Sequence, residues 1–505
     1  MNGWILAAYF ALLGCLGLYS LHRLQLLWLL RRHRRSLAAP ATYAARFPRV
    51  TVQIPLYNEA NVADRVIGAA SRLDWPVDRL EIQVLDDSTD GTVAIVEAAV
   101  ADARSRGLSV THLRRERRTG FKAGALAAGL DRAQGEFLAV FDADFVPGPE
   151  FLRGLVPHFD EPRVGMIQAR WEHLNRDASL LTRVQSILLD GHFAVEHAAR
   201  NASGRFFNFN GTAGIWRADC IRSAGGWQSD TLTEDLDLSY RAQLAGWRFL
   251  YVPALSAPAE LPEDMDAFRA QQHRWARGSA QTARKLLGRI LAAPVPAPVR
   301  AEAFFHLTAN AGYPLMLGLA LLLPPAILLR ARSGWPALLA IDLPLFLLST
   351  ASMSCFYASA QRSVGRGTRE TFALMPAVVG VGIGLSISNA HAVLGGLFQT
   401  GGIFHRTPKG SNVGGSRPRT AYLTERSPGI VLETALGLYL AAGILPAVRS
   451  GLWSAIPFLA LFAWGFLFTA GLTMAQRRRA AALCAATASA PDARPAPRPD
   501  RRDTA

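Results

Sequence analysis

Acidic residues are scarce. Asp and Glu number 39 against 54 Lys and Arg, for a formal net charge of +15, and charged residues of both signs make up 18% of the 505 positions. That excludes an acidic, solvating polypeptide. Cysteine is scarcer still: Cys15, Cys220, Cys355 and Cys484 lie far apart, two of them in apolar segments. Neither a disulfide framework nor a zinc site with close ligand spacing is expected. The apolar stretch 4–30 has no Lys or Arg ahead of His22 and Arg23, and Arg31, Arg32, Arg34 and Arg35 follow it directly. A cleaved signal peptide carries its charge before the apolar core, so residues 1–35 are expected to remain as an anchor helix, amino terminus outside.

What is abundant is apolar sequence. Half of the residues are hydrophobic and mean hydropathy is +0.15, which suits a membrane protein with a large water-exposed part. Arg and Lys gather at the ends of apolar segments and in the tail, as cytoplasmic membrane flanks do, which argues against a nucleic-acid partner. A membrane region is expected over 300–476, with spans near 304–329, 335–360, 429–448 and 453–475. A fifth apolar stretch, 372–398, is basic on both sides: Arg362, Arg366 and Arg369 before it, Arg406, Lys409, Arg417, Arg419 and Arg426 after. It is expected to lie in the interface or re-enter, leaving five spans and a cytoplasmic carboxyl terminus. Residues 477–505 read as a disordered basic tail, with no room for a carboxyl-terminal PilZ domain.

Between anchor and spans, 48–293 reads as an α/β domain. Strand-like runs at 50–55, 80–85 and 137–141 alternate with helical stretches at 61–73 and 92–106, which predicts a mostly parallel sheet with helices on both faces. Strand ends in such sheets present ligand-binding groups. The third run ends in Asp142 and Asp144, a pair able to share one Mg²⁺ or Mn²⁺ with substrate phosphates. The first ends in Tyr57 and Glu59, the second in Asp86 and Asp87, and Lys122 sits among small residues in GFKAGAL. Glu234 and Asp235 precede an amphipathic helix, where they suit either a dipole or a general base. In QQHRW, Arg274 offers a planar fork for pyrophosphate and Trp275 a face for a sugar ring. Each motif alone has an ordinary alternative as a turn, cap or solvated charge; their order is what makes them informative.

That order, with the runs VQIPLYNE, IQVLDDSTDGT, GFKAGAL, FDADF, FNGTAGIWR, EDLDLSYRAQLAGWRFLY and FRAQQHRWARG, resembles the processive inverting family 2 glycosyltransferases, the group of cellulose, chitin and hyaluronan synthases. It is more similar still to the plant cellulose-synthase-like A and C enzymes, which make β-1,4-mannan or glucomannan and the xyloglucan backbone. The resemblance implies a GT-A-type domain that takes a sugar from GDP-mannose or UDP-glucose, binding the donor through Tyr57, Glu59, Asp86, Asp87, Lys122, Asp142 and Arg274. It implies a metal on Asp142 and Asp144, Asp235 as base with Glu234 beside it, and an acceptor bound by Phe209, Asn210, Gly211, Thr212, Gln271 and Trp275. GIFHRTPKG, at the start of 401–415, is similar to the cellulose synthase gating loop F-x-V-T-x-K, with Arg406 in place of Val, which adds Thr407 and Lys409 to the donor set. Asn310, Tyr313, Asn389 and His391 are candidates to line a glycan path through the spans. The partners implied are a nucleotide sugar, a growing glycan and a bilayer, in a bacterial inner membrane with the catalytic domain cytoplasmic. Two alternatives are a non-processive glycolipid synthase and a sensor of nucleotide sugars.

Overall fold

The computed structural model describes residues 3–41, 46–332, 338–402 and 429–488. Its central element is a seven-stranded sheet of order β3-β2-β1-β4-β6-β5-β7. The strands are β1 Val50–Leu56, β2 Leu80–Asp86, β3 Ser109–Arg114, β4 Phe137–Val140, β5 Val164–His173, β6 Gly214–Arg217 and β7 Arg248–Ala259. β1 to β4 are mutually parallel, β6 runs antiparallel to β4 and β5, and β7 is parallel to β5. The expected mostly parallel sheet is therefore present, with one reversed strand.

The apolar runs are continuous because both sheet faces are covered. Along β4 and the residue after it, Phe137, Ala139 and Phe141 face one core with Val66, Val96 and Phe151. Leu138 and Val140 face the other, with Leu126, Trp216 and Leu238. Successive side chains on a strand point to opposite faces, so an unbroken apolar strand serves two layers.

Among the described residues, five helical stretches are long and apolar enough to cross a bilayer: Gly3–Ser36, Ala297–Arg330, Ile341–Ser363, Gly429–Arg449 and Trp453–Ala482. This is the pattern of an integral membrane protein. The stretch expected at 372–398 is two helices, Thr368–Gly384 and Ser386–Phe398, bent by 43° where they meet. The expected tail boundary needs correction. The last helix runs Ile456–Ala488, carrying Arg477, Arg478 and Arg479 on it, because the alanine-rich sequence that follows them is strongly helix-forming.

The long helix Met265–Ala292 joins the two halves. Its Arg269 is 2% exposed and donates to Asp266 and Glu433, each at 2.9 Å. Arg477 in turn donates to Asp266 at 2.7 Å, and the Met265 amide to Gln476 at 2.8 Å.

Candidate active site

β1, β2 and β4 are parallel neighbours, so their carboxyl ends deliver Tyr57 and Glu59, Asp87, and Asp142 with Asp144 to one edge of the sheet. A cleft with a cavity volume of ≈ 180 Å³ opens there, and Lys122, Asn210, Gly211, Glu234, Asp235, Gln271, Arg274 and Trp275 complete its wall. Lys122 reaches it from the first turn of the helix Phe121–Leu130, entered through Gly120 at φ +71°. Gly211, at φ +79°, lies so close that a Cβ there would sit 3.1 Å from Asp235 Oδ2 and 3.3 Å from Lys122 Nζ. Only glycine supplies both the left-handed backbone and the space.

Charge is concentrated here. Lys122 Nζ donates to Asp142 Oδ1 at 2.5 Å and to the Gly211 carbonyl at 2.9 Å. Burial alone would lower the ammonium's pKa; Asp142, Glu234 and Asp235 outweigh it and raise it. Asp235 opens the helix Glu234–Leu244, its Oδ1 accepting the Leu236 amide at 2.8 Å. Burial first, and then the charge of Glu234, push its carboxyl up to about 7, and burial raises Glu234 as well. Burial lowers the Arg274 guanidinium against the opposing pull of Glu234, Asp142, Asp235 and Asp144. Four carboxylates thus surround Arg274 and Lys122, leaving the site short of positive charge. A divalent cation fits that imbalance. Among the described residues no three His, Cys, Asp or Glu side chains are placed to hold one metal ion by themselves, so Asp142 and Asp144 could hold such an ion only together with substrate oxygens and water.

Not every expected residue reaches the cleft. Asp86 is 1% exposed, with Oδ1 accepting the Ser88 amide at 2.9 Å and Oδ2 3.0 Å from His112 Nε2. Adjacent strand residues face opposite ways, so Asp86 turns inward and only Asp87 faces the cleft. Phe209 is fully buried beside Trp216 and Trp227. Thr212, also buried, accepts the Asp142 amide at 2.9 Å. Both support the loop from behind. Asn389 is buried, and His391 lies 5.7 Å from the His273 ring. Thr407 and Lys409 lie outside the described residues.

Other residues were missed by the motifs. Arg115 grips both oxygens of Asp87, at 2.9 and 2.5 Å, and the Arg118 guanidinium lies 3.3 Å above the Tyr57 ring. Trp171, Glu172 and His173, at the end of β5, also line the cleft. The Trp171 and Trp275 rings are 6.4 Å apart, and Trp171 Nε1 is buried without a partner among the described residues. The available signal was position: WEH ends a strand, as the recognised islands do.

Residues 48–278 match the family described as "Glycosyltransferase like family 2", and this part of the chain is a family 2 glycosyltransferase domain. It is 49% identical over 253 residues to glucomannan 4-beta-mannosyltransferase 2 of Arabidopsis thaliana, covering 49% of this chain and 47% of that one. It is 47% identical over 248 residues to the probable glucomannan 4-beta-mannosyltransferase 4 of Oryza sativa subsp. japonica, covering 48% and 45%. The match spans about half the length of these curated relatives. Both are plant proteins and lend the expected bacterial membrane no support. In fold, the chain is similar to a mannosyltransferase of Pyrobaculum calidifontis solved with GDP-Man and Mn²⁺, at 23% identity and TM-score 0.50, covering 70% of this chain and 97% of that one.

Proposed function

We propose that this chain is a membrane-embedded, inverting β-mannosyltransferase that lengthens a mannan or glucomannan chain from GDP-mannose, with its catalytic domain on the cytoplasmic side. The observation that supports it most is the meeting of Asp142, Asp144, Asp235, Arg274 and Trp275 around one cleft, in a domain whose relatives are named mannosyltransferases. Tyr57, with Arg118 on its ring, and Glu59 and Asp87 would take the nucleoside end. Trp275 and Trp171 would stack against the acceptor's terminal sugar.

The acceptor hydroxyl oxygen attacks the anomeric carbon from the face opposite the diphosphate, and its proton passes to Asp235. The bond between anomeric carbon and diphosphate oxygen breaks, and the electron pair departs with the diphosphate. Lys122 and Arg274 meet the charge that develops there. One such displacement turns an α-linked donor into a β-linked product with no enzyme nucleophile. A Mg²⁺ or Mn²⁺ held by Asp142 and Asp144 would supply further neutralisation of the leaving diphosphate. Thr407 and Lys409, outside the described residues, join the reading as donor contacts.

The test is Asp144→Asn in membranes containing the protein, supplied with GDP-mannose or UDP-glucose and with Mg²⁺ or Mn²⁺. Mannose-containing polymer is expected from the unaltered protein, and nearly none from the variant or from either in excess EDTA. Label in solvent-extractable lipid would favour the glycolipid synthase; full polymer yield in EDTA would remove the metal role.

A further inference from the structure

Behind the cleft, between the helices Leu180–Gly191 and Ala198–Ala202, the backbone makes a π-helical turn over His192–His197. Such turns cost hydrogen-bond geometry and persist where a side chain must be re-aimed. Two side chains of this turn hold the loop that ends at Gly211. His197 Nε2 donates to the Asn208 carbonyl at 2.9 Å. His192 Nε2 lies 2.8 Å from Asn210 Nδ2. The Asn210 backbone is held too, its amide donating to Gln168 Oε1 at 3.0 Å.

The protonation of this chain follows from its far end. Glu196 Oε2 is 3.0 Å from His192 Nδ1 and 3.3 Å from Arg200 Nη1. Arg200 is 1% exposed and donates to buried Glu302 at 2.9 Å. Burial would raise the Glu196 carboxyl, but Arg200 and His192 hold it well below the usual range. A carboxylate only accepts, so His192 Nδ1 carries the hydrogen and, in the neutral ring, Nε2 presents its lone pair. Asn210 must turn its NH₂ toward that lone pair, which sends Oδ1 the other way. Oδ1 is buried and has no partner among the described residues, and Asn210 is a wall of the cleft. A buried amide oxygen left unpaired at the edge of a binding site is waiting for a donor.

We propose that His192 and Glu196 are positioning residues that fix the Asn210 amide with its oxygen toward the cleft, where it accepts a hydrogen bond from a hydroxyl of the incoming glycan. The proposal rests on the glycosyltransferase reading above. Acceptor contact by Asn210 is already implied by the family resemblance; the new assignment is the pair behind it, Glu196 and His192, which acts through the Asn210 amide without touching substrate.

The experiment uses the full chain in detergent with GDP-mannose, MnCl₂ and β-1,4-mannotetraose as acceptor, measuring KM for both substrates. His192→Ala leaves Asn210 free to rotate and is expected to raise the mannotetraose KM by ~10-fold, the loss of one oriented hydrogen bond, with the GDP-mannose KM within ~2-fold of the unaltered protein. His192→Gln, whose amide can both donate to Glu196 and accept from Asn210, is expected to restore most of the loss. Equal rises in both KM values, or no recovery with Gln, would mean that the turn merely holds the fold, and an unchanged mannotetraose KM would also overturn the proposal. If the unaltered protein transfers nothing to mannotetraose, the mannosyltransferase reading fails, and this one with it.

Discussion

Asp235 is the residue on which chemistry and stability pull in opposite directions. As the proposed proton acceptor it must be ionised, and burial with the neighbouring charge of Glu234 pushes its pKa up to about 7. Transfer should rise with pH through about 7 and level off above it, measured as initial rate at saturating donor. Asp235→Asn should lower transfer by ~10² to 10⁴ and abolish that rise, since an amide has no proton to lose. A variant that keeps the step would shift the role to Glu234. The stability sign is the reverse. A carboxyl raised in the folded state binds more protons folded than unfolded between its unfolded value, about 4, and about 7, so its contribution falls as pH climbs through that window. The residues legible in the sequence were those at strand ends, because a strand end is a position that periodicity can locate. Asp86 was misread beside Asp87 because a two-residue motif does not say which member faces the cleft. Arg115 and His192 were not legible, since each meets its partner across a stretch of chain with no fixed spacing.

Among the elements, β1, β2 and β4 were legible almost to the residue, since covered faces on both sides leave an apolar run with abrupt polar ends, whereas β3, β5, β6 and β7 were not read from the sequence. The loop after Phe398 is different in kind. Its first residues rest on the cleft's rim: the Gly401 amide donates to the Asp230 carbonyl at 3.1 Å, and Gln281 Nε2 to the Gly401 carbonyl at 2.6 Å. A Cβ at Gly402 would lie 3.1 Å from Leu232, a residue of the cleft wall. Residues 403–428, with Thr407 and Lys409 among them, lie outside the described residues, and their contact with bound donor is a proposal. Thr407→Ala with Lys409→Ala should then lower polymer yield per unit of inserted protein by ~10-fold or more, as expected for loss of charge-assisted phosphate contacts. A yield equal to that of the unaltered protein would leave the segment only its basic charge as a role.

For the whole molecule, the membrane topology turns on the bent helix pair. Both of its ends rest on the catalytic domain: Arg366 meets Asp190 and Glu370 meets Arg176 before it, while Gly401 meets Asp230 after it. A crossing helix would leave its ends about 30 Å apart on opposite sides of the bilayer. On this ground we propose that 372–398 lies in the interface and does not cross. Reporters fused after Thr424 and after Ala488 should both appear on the catalytic domain's side, and a signal from the far side at either position would restore a sixth span. The sequence points to this through its basic flanks and carries no sign of the bend; the helix after it, Ser386–Phe398, packs through Ala392 and Val393 against Ala276 and Ala280 of the helix Met265–Ala292. That helix carries Gln271, Arg274 and Trp275 into the cleft, and a few residues earlier it carries Arg269, whose buried charge is met by Glu433 from the membrane half. A water-soluble fragment cut at 293 would take Glu433 and Thr473 away from that buried guanidinium and leave it Asp266. The helix that lines the cleft is therefore footed on both halves of the molecule: the α/β domain supplies Asp266, and the apolar helices supply Glu433 and Thr473.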